Sequence, residues 1–138
     1  MSGENVDVVV RLFDAVARRD SATVMSLYHP DIVWDGSRSR WAEVMSGEPR
    51  WQGHEGLRTF FRRYYETWEL FEDKVGEVID AGDEVVVIVN SKARGRSSGV
   101  DVEWRDHAGV MSIRDGMIAR VVWFESRDEA LEAVGLSE

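Results

Sequence analysis

Two aspartates, two histidines and an Asn/Lys pair are the side chains of this sequence best suited to moving a proton. Asp106 lies in the alternating stretch Trp104-Arg105-Asp106-His107. Turned towards an interior, it is a candidate general base, because burial raises a carboxyl pKa towards neutrality. Asp35 and His54 form a second candidate, a carboxylate base and its orienting imidazole, provided residues 36–53 fold so as to bring them together. Asn90 and Lys92, two residues apart, can donate to a developing oxyanion, as can Tyr64, and the pair can also hold the polar end of a ligand or partner Asp106. An inward lysine needs such a partner or water. His107 follows Asp106 directly, so alternation turns it to the opposite side, where it suits a subunit interface better than catalysis. His54 stands at a helix start and is equally suited to anchoring the long segment before it.

Several other chemistries find no support. The chain has no cysteine, so disulfides, thiolate nucleophiles and zinc–thiolate sites are absent. His29, Asp31, Asp35 and His54 are too scattered to be read as a metal site. No glycine-rich phosphate loop is present, so no nucleotide cofactor is expected, nor any other. A net charge of −9 argues against nucleic acid as a partner, and Arg94, Arg96 and Arg105 are too few to make an RNA surface. No apolar run approaches the roughly 20 residues that span a bilayer, and the acidic start MSGENVDVV has no signal-peptide pattern. The expectation is a cytoplasmic protein with no membrane partner.

The elements that must position these groups can be read from periodicity. Residues 1–138 suit a single domain. The helix expected over residues 5–18 places Val6, Val9, Val10, Phe13, Val16 and Ala17 on one face. Asp20 or Ser21 caps a short second helix with Val24, Leu27 and Tyr28 inward, and His29-Pro30 ends it. Asp31–Asp35 is a short strand, and the irregular stretch 36–53 includes a helical turn near Arg40–Met45 that lays Trp41 over something apolar. A third helix runs from Gly53 to about Phe71, with Leu57, Phe60, Phe61, Tyr64, Tyr65 and Trp68 on its apolar side. Strands follow at Lys74–Ile79 and through Glu84–Phe124, with reversals at Ala81-Gly82-Asp83, Arg96–Gly99 and Asp115-Gly116. A short terminal helix carries Ala130, Leu131, Val134 and Leu136. Six tryptophans among 138 residues are many for a core alone, and point to a walled hollow.

In order and spacing, "ENVDVVVRLFDAVARRD", "LYHPDIVWDG", "WQGHEGLRTFFRRYYETW", "DAGDEVVVIVNSKARGRSSG" and "SIRDGMIARVVWFESRDEALEAVG" resemble the SnoaL-like branch of the nuclear-transport-factor-2-like (NTF2-like) superfamily. The resemblance implies an α+β cone: a strongly curved, antiparallel or mixed sheet with the N-terminal helices packed on its concave face. It also implies a small hydrophobic or aromatic metabolite bound between sheet and helices, and homodimers that pair through the outer face of the sheet.

The Asp115-Gly116 turn sets Arg114 opposite Met117, Ser112 opposite Ala119 and Val110 opposite Val121. One face then holds Trp104, Asp106, Ala108, Val110, Ser112, Ala119, Val121, Trp123 and Glu125, and the family pattern makes it the concave one. A bulge would exchange part of the set. Likeness to the epoxide hydrolases of the superfamily turns Val86, Ile88, Asn90 and Lys92 inward as well. Those enzymes carry Arg-x-Asp on this strand and a further Asp on the last one; here Asn90, Lys92 and Trp123 stand at the matching positions, so all three polar roles are changed. The base position of ketosteroid isomerases matches Gly36, with Asp35 one step off. The expected pocket wall is Trp34, Tyr64, Trp68, Trp104 and Trp123, joined by Val121 and Ile88. The function implied is binding of a small hydrophobic metabolite in an internal pocket, with cofactor-free acid/base chemistry of isomerase, cyclase or hydratase type. The alternative is a non-catalytic, dimeric ligand- or partner-binding module.

Overall fold

In the computed structural model, residues 2–136 are described, apart from the side chains of Ser2, Glu43, Met45 and Ser46. The element order is α1 (Ser2–Ala17), α2 (Ser21–Leu27), β1 (Tyr28–Asp35), α3 (Arg40–Ser46), β2 (Arg50–Gln52), α4 (Gly53–Thr67), β3 (Trp68–Asp80), β4 (Glu84–Gly95), β5 (Asp101–Arg114), β6 (Met117–Phe124) and α5 (Arg127–Ala133). The strands form one open mixed sheet in the order β2-β1-β6-β5-β4-β3, with β1 parallel to β6 and every other pair antiparallel. It is an NTF2-like α+β cone, as the resemblance implies.

Helix α1 buries Val9, Leu12 and Ala15, a stripe at steps of three. The expected face is thus rotated: Val10 is 51% exposed and Ala17 faces solvent. Asp20 caps α2, accepting the Thr23 N–H at 3.2 Å, and Val24, Leu27 and Tyr28 turn inward as expected. Helix α4 stops at Thr67, four residues earlier than its aromatic run suggests. Trp68 and Phe71 already belong to β3, where inward residues alternate as Phe71, Asp73 and Val75.

Bulges decide which side chains face the helices. Between β4 and β5, Val89 pairs with His107 but Ser91 pairs with Trp104, so Asn90 alone opposes Arg105 and Asp106. Asp106 takes up the extra residue at φ 53°, and its N–H donates to Asn90 Oδ1 at 2.9 Å. Every β5 side chain beyond this point changes face. A second bulge gives Ser112 the partner Arg120 in place of the expected Ala119, while Ile113 pairs with Ile118. The inner face therefore holds Val85, Val87, Val89, Ser91 and Ala93 of β4, His107, Gly109 and Met111 of β5, and Ile118, Val121 and Trp123 of β6.

The expected inner set is overturned for Asp106, Ala108, Val110 and Ser112, and for Val86, Ile88, Asn90 and Lys92 on β4. Val86, Ile88, Ala108 and Val110 are nevertheless buried, because α5 lies on the outer face and packs Ala130 among them and Phe124. The rest of the outer face near β4 is polar, with Arg94 bound to Asp101 at 2.7 Å and Lys92 4.0 Å from Glu103. No helix among the described residues is long and apolar enough to cross a membrane.

An aromatic cavity with one buried carboxyl

Between the inner sheet face and the helices lies a cavity of about 60 Å³. Its walls come from every layer of the fold: Leu12 and Phe13 of α1, Trp34 of β1, Trp41 of α3, Phe60 and Tyr64 of α4, and Trp123 of β6. Phe60 packs tilted against Trp34 with ring centroids 4.9 Å apart and reaches Tyr64 at 5.3 Å. Phe61 separates the cavity from a surface groove between α2 and α4 that is edged by Arg58 and Arg62. Gly36 is what lets α3 close over this wall. A Cβ there would stand 2.8 Å from that of Ala42 and 2.9 Å from the Trp34 ring. The helical turn expected at residue 40 does lay Trp41 over apolar neighbours.

Asp73 is the one charged residue among the described residues that line the cavity. It projects from the inner face of β3 directly across from Ser91 on β4, whose Oγ–H donates to Asp73 Oδ1. The apolar surroundings push the Asp73 carboxyl up to about 7, against the opposing pull of that hydrogen bond. Burial raises the phenols of Tyr28 and Tyr64 too, and the Asp73 charge adds to both shifts, so both stay protonated at neutral pH. Ser91 Oγ also lies 2.9 Å from His107 Nε2. His107 is fully buried between the rings of Trp41, at 4.1 Å, and Trp123, at 4.8 Å. Burial depresses its pKa to about 4, so the ring is neutral at physiological pH.

The expected proton-transfer residues stand elsewhere. Asp106 is exposed on the β5 bulge, and Asn90 serves to hold that bulge. Lys92 is exposed on the outer face, because the β4 register is opposite to the expected one. Asp35 is buried, but Ser37 donates to it from its backbone at 2.9 Å and its hydroxyl at 2.6 Å, and Arg50 lies 3.4 Å away. Burial alone would raise its pKa; those partners outweigh it and hold the carboxyl below its usual value. His54 Nε2 lies 2.7 Å from the carbonyl of Tyr28, tying the start of α4 to β1. Asp35 and His54 thus each have local partners, not each other.

Of the expected wall, Trp34, Tyr64 and Trp123 line the cavity. Trp68 and Trp104 pack into the same core away from it, Val121 is buried beneath it, and Ile88 lies under α5 on the other side of the sheet. No group of His, Asp and Glu among the described residues is arranged to hold a metal ion. Sequence reasoning missed Asp73 because the helix was expected to run to Phe71 and the strand to begin at Lys74. The signal that finds it is the alternation Phe71-x-Asp73-x-Val75, which places a carboxylate on an otherwise apolar face.

Comparison with known proteins supports the fold throughout. The chain is similar to an NTF2-like protein of unknown function from Burkholderia pseudomallei, with a TM-score of 0.77 and 18% identity over 95% of this chain and 97% of the other. It is similar to TerC co-crystallised with polyporic acid, at TM-score 0.74 and 20% identity over 96% and 98% of the two chains. A putative polyketide cyclase from Sinorhizobium meliloti shares 25% identity at TM-score 0.60, covering 85% of this chain and 93% of its own. No curated protein matches the chain. The model of the SnoaL-like domain matches residues 9–121, from the inner stripe of α1 to the β6 strand beneath the cavity, and the chain belongs to that family within the NTF2-like superfamily.

Proposed function

We propose that this protein binds a small aromatic or otherwise hydrophobic molecule against its ring-lined inner wall, and that Asp73 moves a proton on it without a cofactor. The observation that carries the reading is the Asp73 carboxyl, raised to about 7, in a cavity whose other described lining side chains are uncharged. At neutral pH its ionised and protonated forms are both populated. The same group can then take a proton from a carbon beside a carbonyl and return it elsewhere, as an isomerisation or cyclisation requires. The phenols of Tyr28 and Tyr64 line the same space and are the donors for the oxyanion that forms in between. The similarity to a putative polyketide cyclase and to TerC supports hydroxylated aromatic ligands as the first class to try.

A cavity of about 60 Å³ holds a few waters rather than a ring system. Binding therefore requires the wall to open, at Phe61 towards the α2–α4 groove or at Trp41 on the short helix α3.

The test is a thermal-shift and turnover screen with polyporic acid and related hydroxyquinones. At ligand 100-fold above its Kd the gain is about 2.7 kcal/mol. Wild-type protein should be stabilised and should convert at least one ligand with a pH dependence centred near 7. Asp73→Asn should keep binding and lose conversion. Conversion that survives in Asp73→Asn, or no stabilisation by any ligand, overturns the reading. Binding without conversion in wild-type protein leaves a carrier or sensor.

A further inference from the structure

Asp73, Ser91 and His107 come from three consecutive strands of the sheet, β3, β4 and β5, and all point to the inner face. Ser91 is 1% exposed and His107 is fully buried. Building on the reading of Asp73 as the base, we propose that Ser91 and His107 are positioning residues: a neutral, Nε2-protonated His107 donates to Ser91 Oγ and thereby commits the single hydroxyl proton to Asp73 Oδ1.

The argument is a count of protons. Ser91 has one hydrogen and two polar neighbours, Asp73 Oδ1 and His107 Nε2, the latter at 2.9 Å. An ionised carboxylate can only accept, so the hydroxyl must donate to it. Ser91 Oγ can then only accept from the imidazole, which fixes the proton on Nε2. Nδ1 is left as a bare lone pair. Among the described residues it has no hydrogen-bond partner. The other tautomer would bury an orphaned N–H there, and orphaned buried N–H groups are rarer than under-satisfied acceptors. It would also turn the Ser91 proton towards Nε2 and set Oγ lone pairs against the carboxylate.

Two rings hold the imidazole in this state. Trp41 and Trp123 flank it and keep out the water that a charged ring would need. Among the described residues, the groups facing Asp73 are Ser91 from β4, Tyr28 from β1 and Tyr64 from α4, and no cation is paired with it. Ser91 is thus, among the described residues, the partner that favours the ionised form, and the Nε2–H of His107 polarises its hydroxyl towards the carboxylate. The consequence for chemistry is directional. Oδ1 is occupied by Ser91, so Oδ2 is the oxygen that takes the substrate proton.

Long-range ¹H–¹⁵N correlation of the histidine ring in wild-type protein tests this without any ligand. The expected pattern is the Nε2–H tautomer at about pH 8, where Asp73 is ionised; an Nδ1–H ring there overturns the proposal. The carboxyl ¹³C titration of Asp73 gives the second readout. Ser91→Ala should raise its midpoint by roughly one pH unit, and His107→Leu, which removes only the N–H that polarises the hydroxyl, by roughly half as much. His107→Gln, which keeps an N–H near the same place, should restore the wild-type midpoint to within about 0.3. A midpoint unmoved in His107→Leu also overturns the proposal. If His107→Leu does not fold, the wild-type tautomer still decides. A conversion that survives Asp73→Asn would sink the reading of Asp73 as base while leaving the tautomer result standing, so the two claims fail separately.

Discussion

His107 lies against Trp41 with ring centroids 4.1 Å apart and planes inclined by 33°, so a polar ring of the sheet is roofed by a tryptophan from the irregular stretch between β1 and β2. Replacing the roof should change the imidazole before it changes the sheet. Trp41→Ala removes most of what keeps water from His107, and the histidine pKa should climb from about 4 towards its ordinary 6.5. The cost in stability should be about 2–4 kcal/mol, at or below the range for large-to-small core changes, because α3 is short and can settle. Histidine C–H chemical shifts against pH, with denaturant unfolding, check both. An unmoved pKa would mean that the sheet and not Trp41 excludes the water.

Asp73 and His107 pull the pH dependence of stability in opposite directions. The folded pKa of Asp73 is raised from 3.8 to about 7, so the folded state binds its proton more tightly than the unfolded chain does. Its contribution is fully present below pH 3.8 and is lost as pH rises through 7. His107 is lowered from 6.5 to about 4; its contribution is present above 6.5 and is lost as pH falls through 4. Between roughly pH 4 and 6.5 the two slopes offset each other. Asp73→Asn removes one of them. The variant should be more stable than wild type at pH 8, by on the order of 2 kcal/mol, with the difference disappearing near pH 4. Urea unfolding at pH 4, 6 and 8 measures this, and equal destabilisation at all three values would show that Asp73 is not held at a raised pKa.

Asp106, the most conspicuous carboxylate on the β5 strand, should prove inert. It is exposed, and its role is to occupy φ 53° where β5 carries one residue more than β4. Asp106→Asn should leave ligand binding and turnover unchanged. Asp106→Gly should stabilise the fold by roughly 0.5–1 kcal/mol, since glycine adopts this backbone region without strain. Asn90→Ala should cost about 1 kcal/mol by removing the acceptor of the Asp106 N–H. A loss of activity in Asp106→Asn with an unchanged melting temperature would return Asp106 to the site.

The fold was legible in the chain because many weak signals agreed. The Asp115-Gly116 turn, the Val85–Val89 run and the aromatic stripe of α4 each specify local structure that the tertiary fold keeps. The site was less legible, for a mechanical reason. In a strand, one extra residue exchanges the two faces, and the bulges at Asp106 and between Ser112 and Ile113 leave no mark that composition reveals. They carried His107 inward and left Asp106 at the surface. The resemblance turns Val86, Ile88, Asn90 and Lys92 of β4 inward, and the register of this strand is the opposite one. Trp123 and Val121 kept the expected side because they lie beyond the second bulge in β6, where the two displacements cancel. Asp73 was lost at a boundary: Trp68 and Phe71 continue the spacing of α4, although the chain has already become strand.

Gly109 offers a way to narrow the cavity without touching any group that carries a proton. It pairs with Trp123 across β5 and β6, and a Cβ at this position would stand 3.0–3.2 Å from three atoms of the six-membered ring. Its backbone is not in the left-handed region, so alanine brings a steric change alone. The Trp123 ring borders the cavity and has space to give way into it. Gly109→Ala should therefore cost only about 1 kcal/mol, at the low end for overpacking, while reducing affinity for a ring-shaped ligand by roughly tenfold or more, equivalent to about 1.4 kcal/mol. Gly36→Ala makes the contrast, because its Cβ would meet the Trp34 ring and the Cβ of Ala42, which is anchored in α3. That variant should lose several kcal/mol and release Trp41 from His107. Isothermal titration and thermal unfolding of the two variants side by side separate the effects; unchanged affinity in Gly109→Ala would show that the ligand does not rest on Trp123.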